Sequence, residues 1–148
     1  MTKGRPTNSG KAAFHEIEHT ADLGIEVCAN DLASLFSTAG EALYSLIADP
    51  STIEMREEIE VSATGDKPDD LLHAWLCELL AVFNVQGFVG RRCGIIELEN
   101  GRAKGKVSGE KLDLKRHTFH TEIKGVTYHD FKLWQTEDLW HARVIFDV

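Results

Sequence analysis

The 148-residue sequence contains few cysteines and prolines, three of each, and has no long apolar run. Cys28, Cys77 and Cys93 are far apart and form no CxxC pair, which excludes a zinc knuckle and favours free thiols in a reducing compartment. No segment reaches membrane-spanning length, and the polar start of the chain lacks the apolar stretch of a signal peptide. We therefore expect a soluble, cytoplasmic protein.

Positive charge is also scarce, since 16 basic residues face 24 acidic ones and the formal net charge is -8. A phosphate backbone is bound chiefly through Lys and Arg, so strong direct nucleic-acid binding is not expected. Arg102, Lys104 and Lys106 alternate with other residues and would share one face of a strand. We interpret this segment as an edge strand that its charges keep soluble.

Most catalytic signatures are missing as well. No G-x-S-x-G elbow and no G-x-G-x-x-G turn occurs, so neither acyl transfer by that route nor dinucleotide binding gains support. His15, Glu16 and His19 do spell the HExxH pattern, which binds zinc when a helix puts both histidines on one face. Residues 14–19 alternate as a strand does, which would separate the histidines by about 13 Å. A zinc protease is therefore not indicated.

Two helices are predicted within one domain at 14–148, after a disordered N-terminal arm at 1–13. Residues 32–48 carry apolar side chains at helical spacing, with Asp31 as N-cap and Pro50 as a stop. A second amphipathic helix should begin at Pro68 and end at Gly87, which can supply a left-handed cap.

Alternating segments predict about eight strands, and Asn100-Gly101 predicts a hairpin turn. The predicted strands are 14–18, 24–29, 59–64, 95–99, 102–107, 117–124, 127–133 and 140–147. Short turns join most of them. The fold class is therefore α+β: a single domain of mixed or antiparallel β-sheets packed around two amphipathic helices.

The end of the last predicted strand is the strongest candidate site. We expect the terminal carboxylate of Val148 to lie beside Asp147 on ordered backbone, where two acids repel each other and favour a hard cation or a positively charged partner. A third acid would complete a site, and the polar break at residues 18–24 is the best source of one. Strand ends and the loops between them often carry function.

Several motifs, in order along the chain, resemble those of the archease family. They are EHTADLG at 18–24, DLL at 70–72, WL at 75–76, ELL at 78–80, RH at 116–117, TEIK at 121–124, VTYH at 126–129 and ARVIFD at 142–147. The resemblance covers nearly everything from Phe14 to Val148. The combination is far more specific than any one of its motifs.

The resemblance implies a protein cofactor and not a free-standing enzyme. Archeases assist RNA ligases of the RtcB kind, which join RNA ends with GTP and manganese; they promote guanylylation of the ligase and multiple turnover in tRNA splicing and RNA repair. The implied metal ligands are Asp22, Asp147 and the carboxylate of Val148. Hard oxygen ligands suit calcium, magnesium or manganese better than zinc.

A second group of residues is a candidate for partner contact. It comprises His19, Glu122, Lys124, Tyr128 and His129. If Ile123 faces the core, Glu122 and Lys124 face outward together, either as cross-strand ion-pair partners or as contacts to a ligase. Two other readings remain open: a stand-alone metal-dependent phosphoester hydrolase, and an acidic chaperone or adaptor that binds basic proteins through its net charge.

Overall fold

The computed structural model describes residues 12–19 and 22–148, without the side chains of Glu18, His19 and Asp22. Residues 1–11 of the predicted N-terminal arm lie outside the described part. In chain order the elements are β1 Ala12–His19, β2 Asp22–Ala29, α1 Leu32–Ile47, a 3-10 turn Pro50–Thr52, β3 Glu57–Thr64, α2 Pro68–Gln86, β4 Phe88–Glu99, β5 Arg102–Lys111, β6 Gly125–Val126, β7 Lys132–Gln135 and β8 Trp140–Asp147. The predicted α+β architecture is confirmed.

Local sequence signals set the start of α1 and both ends of α2. The Asp31 carboxylate accepts a hydrogen bond from the Ser34 backbone N–H at 2.8 Å and so caps α1. Pro68 opens α2, where its missing N–H costs nothing. Gly87 closes α2 at φ 70°, in the left-handed region that glycine enters without strain. These features match the prediction from sequence.

The two helices are joined through their buried faces. Trp75 and Tyr44 are almost completely buried, and each places its polar atom on a backbone carbonyl of the other helix. The indole N–H of Trp75 donates to the Phe36 carbonyl at 3.0 Å, and the Tyr44 hydroxyl donates to the Leu79 carbonyl at 2.7 Å. The aromatic rings therefore fill the core while their polar atoms remain paired.

In the described part of the chain, one sheet has five strands: four follow the order β1-β2-β8-β6, and β7 pairs with the other half of β8. All pairings are antiparallel, with Leu23 opposite Phe146 and Ala29 opposite Trp140. The HExxH segment lies in β1, where His15 faces Glu26 and His19 faces Asp22 across the β1–β2 pair. Because the segment is a strand, the zinc-protease geometry is absent, as the alternation predicts.

The second sheet has three strands in the order β3-β5-β4, so the prediction that residues 102–107 form an edge strand is wrong. β5 is the central strand. Lys104 and Lys106 do share one face of β5, and acids on the neighbouring strand β3 pair with them. Lys104 Nζ lies 3.3 Å from Glu60, and Lys106 Nζ lies 3.5 Å from Glu58. A sequence read segment by segment does not show that these acids are the cross-strand neighbours.

The predicted strand 117–124 is also wrong. Only a single bridge between Phe119 and Ala48 forms there. The backbone instead follows the end of α1, where the His120 N–H donates to the Ile47 carbonyl at 2.7 Å and the Asp49 N–H donates to the Thr118 carbonyl at 2.8 Å. Carbonyls in the last turn of a helix lack intrahelical partners, and this segment satisfies one of them.

Two further strand predictions need correction. β4 begins at Phe88, well before the predicted start at residue 95, and contains register shifts between Gly90 and Arg92 and again farther along. These bulges interrupt the alternation on which the prediction depended. The predicted strand 127–133 is a loop at 127–131 between the short strands β6 and β7. The loop turns at Asp130, whose φ is 52°.

Candidate functional site

The register of the five-stranded sheet brings three predicted site residues to one end. Leu23 pairs with Phe146, so the next position outward holds Asp22 on β2 and Asp147 on β8. His19 of β1 pairs with Asp22. His19, Asp22 and Asp147 therefore form one row across three strands, with neighbouring strands about 4.8 Å apart. This row is set by backbone pairing; the side chains of His19 and Asp22 are outside the described part.

Asp147 has a fixed backbone and an exposed side chain. On its other flank it pairs with Gly125 of β6, and the Lys124 N–H donates to its carbonyl at 2.7 Å. Val148 follows with 36% of its surface exposed. Among the described residues no group of three or more His, Cys, Asp or Glu side chains could hold a metal ion. The predicted metal centre requires the Asp22 side chain and remains a prediction.

The candidate partner-contact residues lie along the edge of β8 that starts at Asp147. Ile123 is fully buried while Glu122 and Lys124 are exposed. The loop at 127–131 continues along this edge, because the Thr127 N–H donates to the Ile145 carbonyl at 3.0 Å. Tyr128 at 63% exposure stands on this loop.

His129, the last of these candidates, is also on the loop. Its side chain is 61% exposed and its Nε2 lies 3.5 Å from the Asp130 carboxylate. The structure thus places four of the five candidates, Glu122, Lys124, Tyr128 and His129, on or beside one stretch of sheet edge. His19 is across the sheet in the row described above. Whether any of them touches a partner remains a prediction.

Sequence reasoning missed His73, which lies behind this edge. Its side chain is buried on α2, its Nε2 is 2.9 Å from the Val126 carbonyl, and its ring stacks on Tyr128. The available signal was its position in the helical apolar stripe, between Leu72 and Leu76. A polar residue on the buried face of a helix normally has a specific hydrogen-bond partner.

A second buried polar cluster surrounds Glu110 at the end of β5. The Glu110 side chain is 4% exposed and accepts hydrogen bonds from Arg116 Nη2 at 2.6 Å, the Glu54 N–H at 2.7 Å and His117 Nε2 at 2.9 Å. The Asp113 N–H donates to His117 Nδ1 at 2.8 Å, so the ring proton lies on Nε2. The Arg116 hydrogen bonds lower the pKa of Glu110 from 4.5 to about 2.

This cluster is suited to anchoring and not to proton transfer. A carboxyl group that stays ionised to about pH 2 is a poor general acid or base near neutral pH. Its charge is balanced by Arg116, while Arg56 Nε lies 3.5 Å away. The groove of about 660 Å³ beside it is lined by both cations and acids. The cluster therefore ties residues 112–118 to the three-stranded sheet.

Comparison with known proteins places this arrangement in a family. The sequence profile of the archease protein family matches residues 14–148. The protein archease of Methanopyrus kandleri is 37% identical over 138 residues, which cover 91% of this chain and 99% of the relative. That of Pyrococcus abyssi is 36% identical over 139 residues, with 91% and 98% covered.

Solved structures agree with the sequence relatives. The solution structure of protein 1598 from Methanobacterium thermoautotrophicum has a TM-score of 0.77 at 28% identity and covers 91% of this chain and 98% of its own. An archease from Thermotoga maritima, described as a possible chaperone, shares the fold with a TM-score of 0.64 at 22% identity; the match covers 89% of this chain and 94% of its own. None of the helices in the described part is long and apolar enough to cross a membrane. The chain belongs to the archease protein family.

Proposed function

We propose that this protein activates an RNA ligase of the RtcB kind, promoting guanylylation and multiple turnover of the ligase in tRNA splicing and RNA repair. It would act as a protein cofactor in the cytoplasm, without catalysing a reaction itself. Family membership and the motifs quoted above support this proposal. The observation that carries it is the strand register, which sets Asp22 and Asp147 at one end of the sheet.

The acids would act together as a cation site. Asp22, Asp147 and the terminal carboxylate of Val148 offer only oxygen ligands, which fit calcium, magnesium or manganese. Carboxylates held on adjacent strands repel one another, and a divalent ion relieves that repulsion. Such an ion would supply positive charge where ligase, GTP and manganese meet. Asp147 pairs with Gly125 of β6, and the preceding Phe146 pairs with Leu23 of β2, so the carboxylate of Asp147 is presented from an ordered backbone.

The ligase would meet the sheet edge beside these acids. Lys124, Tyr128 and His129 are exposed there, and Glu122 lies two residues before Lys124. His19 would extend the same surface from β1. Tyrosine is enriched at binding hot spots because its ring contributes a large contact area with few rotatable bonds. The protein would bind RNA only weakly, since its net charge is -8.

The proposal is tested by multiple-turnover ligation of a cyclic-phosphate RNA by the cognate ligase, with GTP and manganese, with and without this protein. We expect wild type to stimulate turnover and Asp147→Asn to lose most of the stimulation. Asp138→Asn is the matched control, because Asp138 is an exposed acid just before the opposite end of β8. Manganese titration of the isolated protein by calorimetry should show a loss of affinity of about tenfold or more for Asp147→Asn only.

Other results would redirect the interpretation. Full stimulation by Asp147→Asn would keep the ligase function and remove the acids from it. No stimulation by wild type in a verified cognate pair would reject the function. Phosphoester hydrolysis without ligase would then favour the stand-alone hydrolase, and salt-sensitive binding to many basic proteins would favour the acidic chaperone or adaptor.

A further inference from the structure

His73 joins helix α2 to both parts of the proposed contact surface. Its Nε2 lies 2.9 Å from the carbonyl of Val126, which belongs to β6. Its ring lies parallel to that of Tyr128, with centroids 3.8 Å apart and an interplanar angle of 10°. Phe131 closes the cluster, edge-on to His73 at 5.5 Å and to Tyr128 at 5.9 Å. One buried side chain thus contacts both a strand and a loop of the surface.

The hydrogen bonds assign the protonation of the ring. A carbonyl only accepts, so Nε2 carries the proton that bonds Val126. In the neutral ring Nδ1 is then an acceptor, and it faces the Cys77 thiol, whose Sγ is 3.6 Å away and whose S–H is a weak donor. Both ring nitrogens are therefore paired within the protein, as a buried histidine requires.

β6 depends on such a contact because it is very short. It has two residues, Gly125 and Val126, paired with Asp147 and Phe146 of β8. A pair of this length has little stability by itself. The His73 bond holds Val126 from the side of α2, so the chain that flanks Asp147 is held from two directions. The Lys124 N–H to Asp147 carbonyl bond at 2.7 Å lies directly beside it.

The stack has a corresponding effect on the loop. Tyr128 is 63% exposed, and an exposed tyrosine on a loop would ordinarily sample several rotamers. Stacking on a buried ring restricts it to one orientation, and the Thr127 hydroxyl adds a bond to the Ile145 carbonyl at 3.0 Å. A contact residue fixed before binding loses less conformational entropy on binding.

We propose that His73 is a positioning residue for partner binding: it holds β6 and the Tyr128 ring so that the terminal acid and the loop form one preformed surface. This inference depends on the proposed ligase function. His73 is buried and does not touch the partner. It acts through Val126 and Tyr128, so its loss weakens binding without changing the stimulation reached at saturation.

His73→Phe tests the proposal, since phenylalanine keeps a ring for the stack and removes the bond to Val126. In hydrogen exchange on the isolated protein, we expect the Lys124 and Thr127 amides to exchange about fivefold faster, the usual effect of one lost hydrogen bond. In the ligation assay, the protein concentration for half-maximal stimulation should rise by a similar factor while maximal stimulation stays unchanged. A general loss of stability would instead speed exchange throughout the chain, whereas a positioning role speeds it only at β6 and the adjoining loop.

His141→Phe is the matched control. His141 also stacks on an aromatic residue, Trp134, with centroids 5.2 Å apart and an angle of 10°, and its Nε2 lies 2.8 Å from the Thr136 hydroxyl. It sits toward the opposite end of β8, so neither readout should change. If His73→Phe does not fold, Tyr128→Leu removes the same stack by changing an exposed residue instead of a buried one. It should speed exchange of the Phe131 amide, which donates to the Tyr128 carbonyl at 3.2 Å.

Each outcome decides the proposal. Faster exchange together with a higher half-maximal concentration supports it. Unchanged exchange at Lys124 and Thr127 overturns it, and so does faster exchange with an unchanged half-maximal concentration. If wild type fails to stimulate the ligase, the proposed function is rejected and the binding role of His73 with it. The exchange result then shows separately whether the His73 contact holds β6.

Discussion

Two irregular segments of this protein are each held by one buried polar side chain, and the two differ in chemistry. Residues 112–118 are anchored by Glu110, an ionised carboxylate paired with Arg116 and His117. His73 holds β6 through the Val126 carbonyl and contacts the rings of Tyr128 and Phe131 in the loop at 127–131. The comparison indicates which contacts stabilise the fold and which set a surface for binding.

The difference follows from the cost of burial. An ionised carboxylate removed from water is strongly unfavourable unless cations and N–H groups surround it, so the chain around Glu110 has little freedom to move. A histidine with paired nitrogens is less costly to bury and leaves the tip of its loop exposed. Tyr128 and His129 therefore stay accessible while the backbone beneath them is restrained.

The largest effect is expected for Glu110→Ala, which removes the central acceptor. Three donors lose their partner, and the His117 side chain is fully buried. Leaving a buried donor such as the His117 ring N–H without its acceptor costs about 1 to 3 kcal/mol, so we expect unfolding in urea to show a loss of about 3 kcal/mol. Glu54→Ala is the control, because that side chain is 60% exposed and should contribute under about 1 kcal/mol. Equal losses in the two variants would contradict the comparison.

Acid should weaken the Glu110 anchor selectively. The folded protein holds the pKa of Glu110 at about 2, below its ordinary value of 4.5, chiefly through hydrogen bonds from Arg116. A lowered pKa means that the stabilisation is complete above pH 4.5 and is lost as the pH falls toward 2. The difference in unfolding free energy between wild type and Glu110→Gln should therefore shrink over that range. If the difference in unfolding free energy stays constant over this range, the ionisation of Glu110 is not responsible for the stabilisation.

The smallest effect is expected for Lys106→Ala on the exposed face of the three-stranded sheet. Lys106 Nζ lies 3.5 Å from Glu58, with both side chains more than half exposed. Exposed pairs contribute little because water and salt screen them, so the unfolding free energy should fall by no more than about 0.5 kcal/mol. A loss as large as that of Glu110→Ala would show that burial does not account for the contribution of Glu110.

Much of the fold could be predicted from local sequence. The caps at Asp31 and Gly87 and the apolar spacing between them act over a few residues, and both helices were predicted closely. The strand Trp140–Asp147 was predicted at its observed bounds. The prediction of a strand at 117–124 was wrong because the alternation that includes Phe119 and Ile123 resembles that of a strand. The backbone of this segment instead follows the end of α1.

For the candidate site, too, some features were predictable from local sequence and others were not. The sequence determined that Asp147 ends a strand, that residues 18–24 carry further acids, and that the motifs are those of an archease. Only the tertiary structure decided that β2 and β8 are neighbours in a register that aligns Asp22 with Asp147, and that His73 supports Tyr128. Caps and periodicity depend on residues close in sequence, whereas register and buried partners depend on contacts between distant segments.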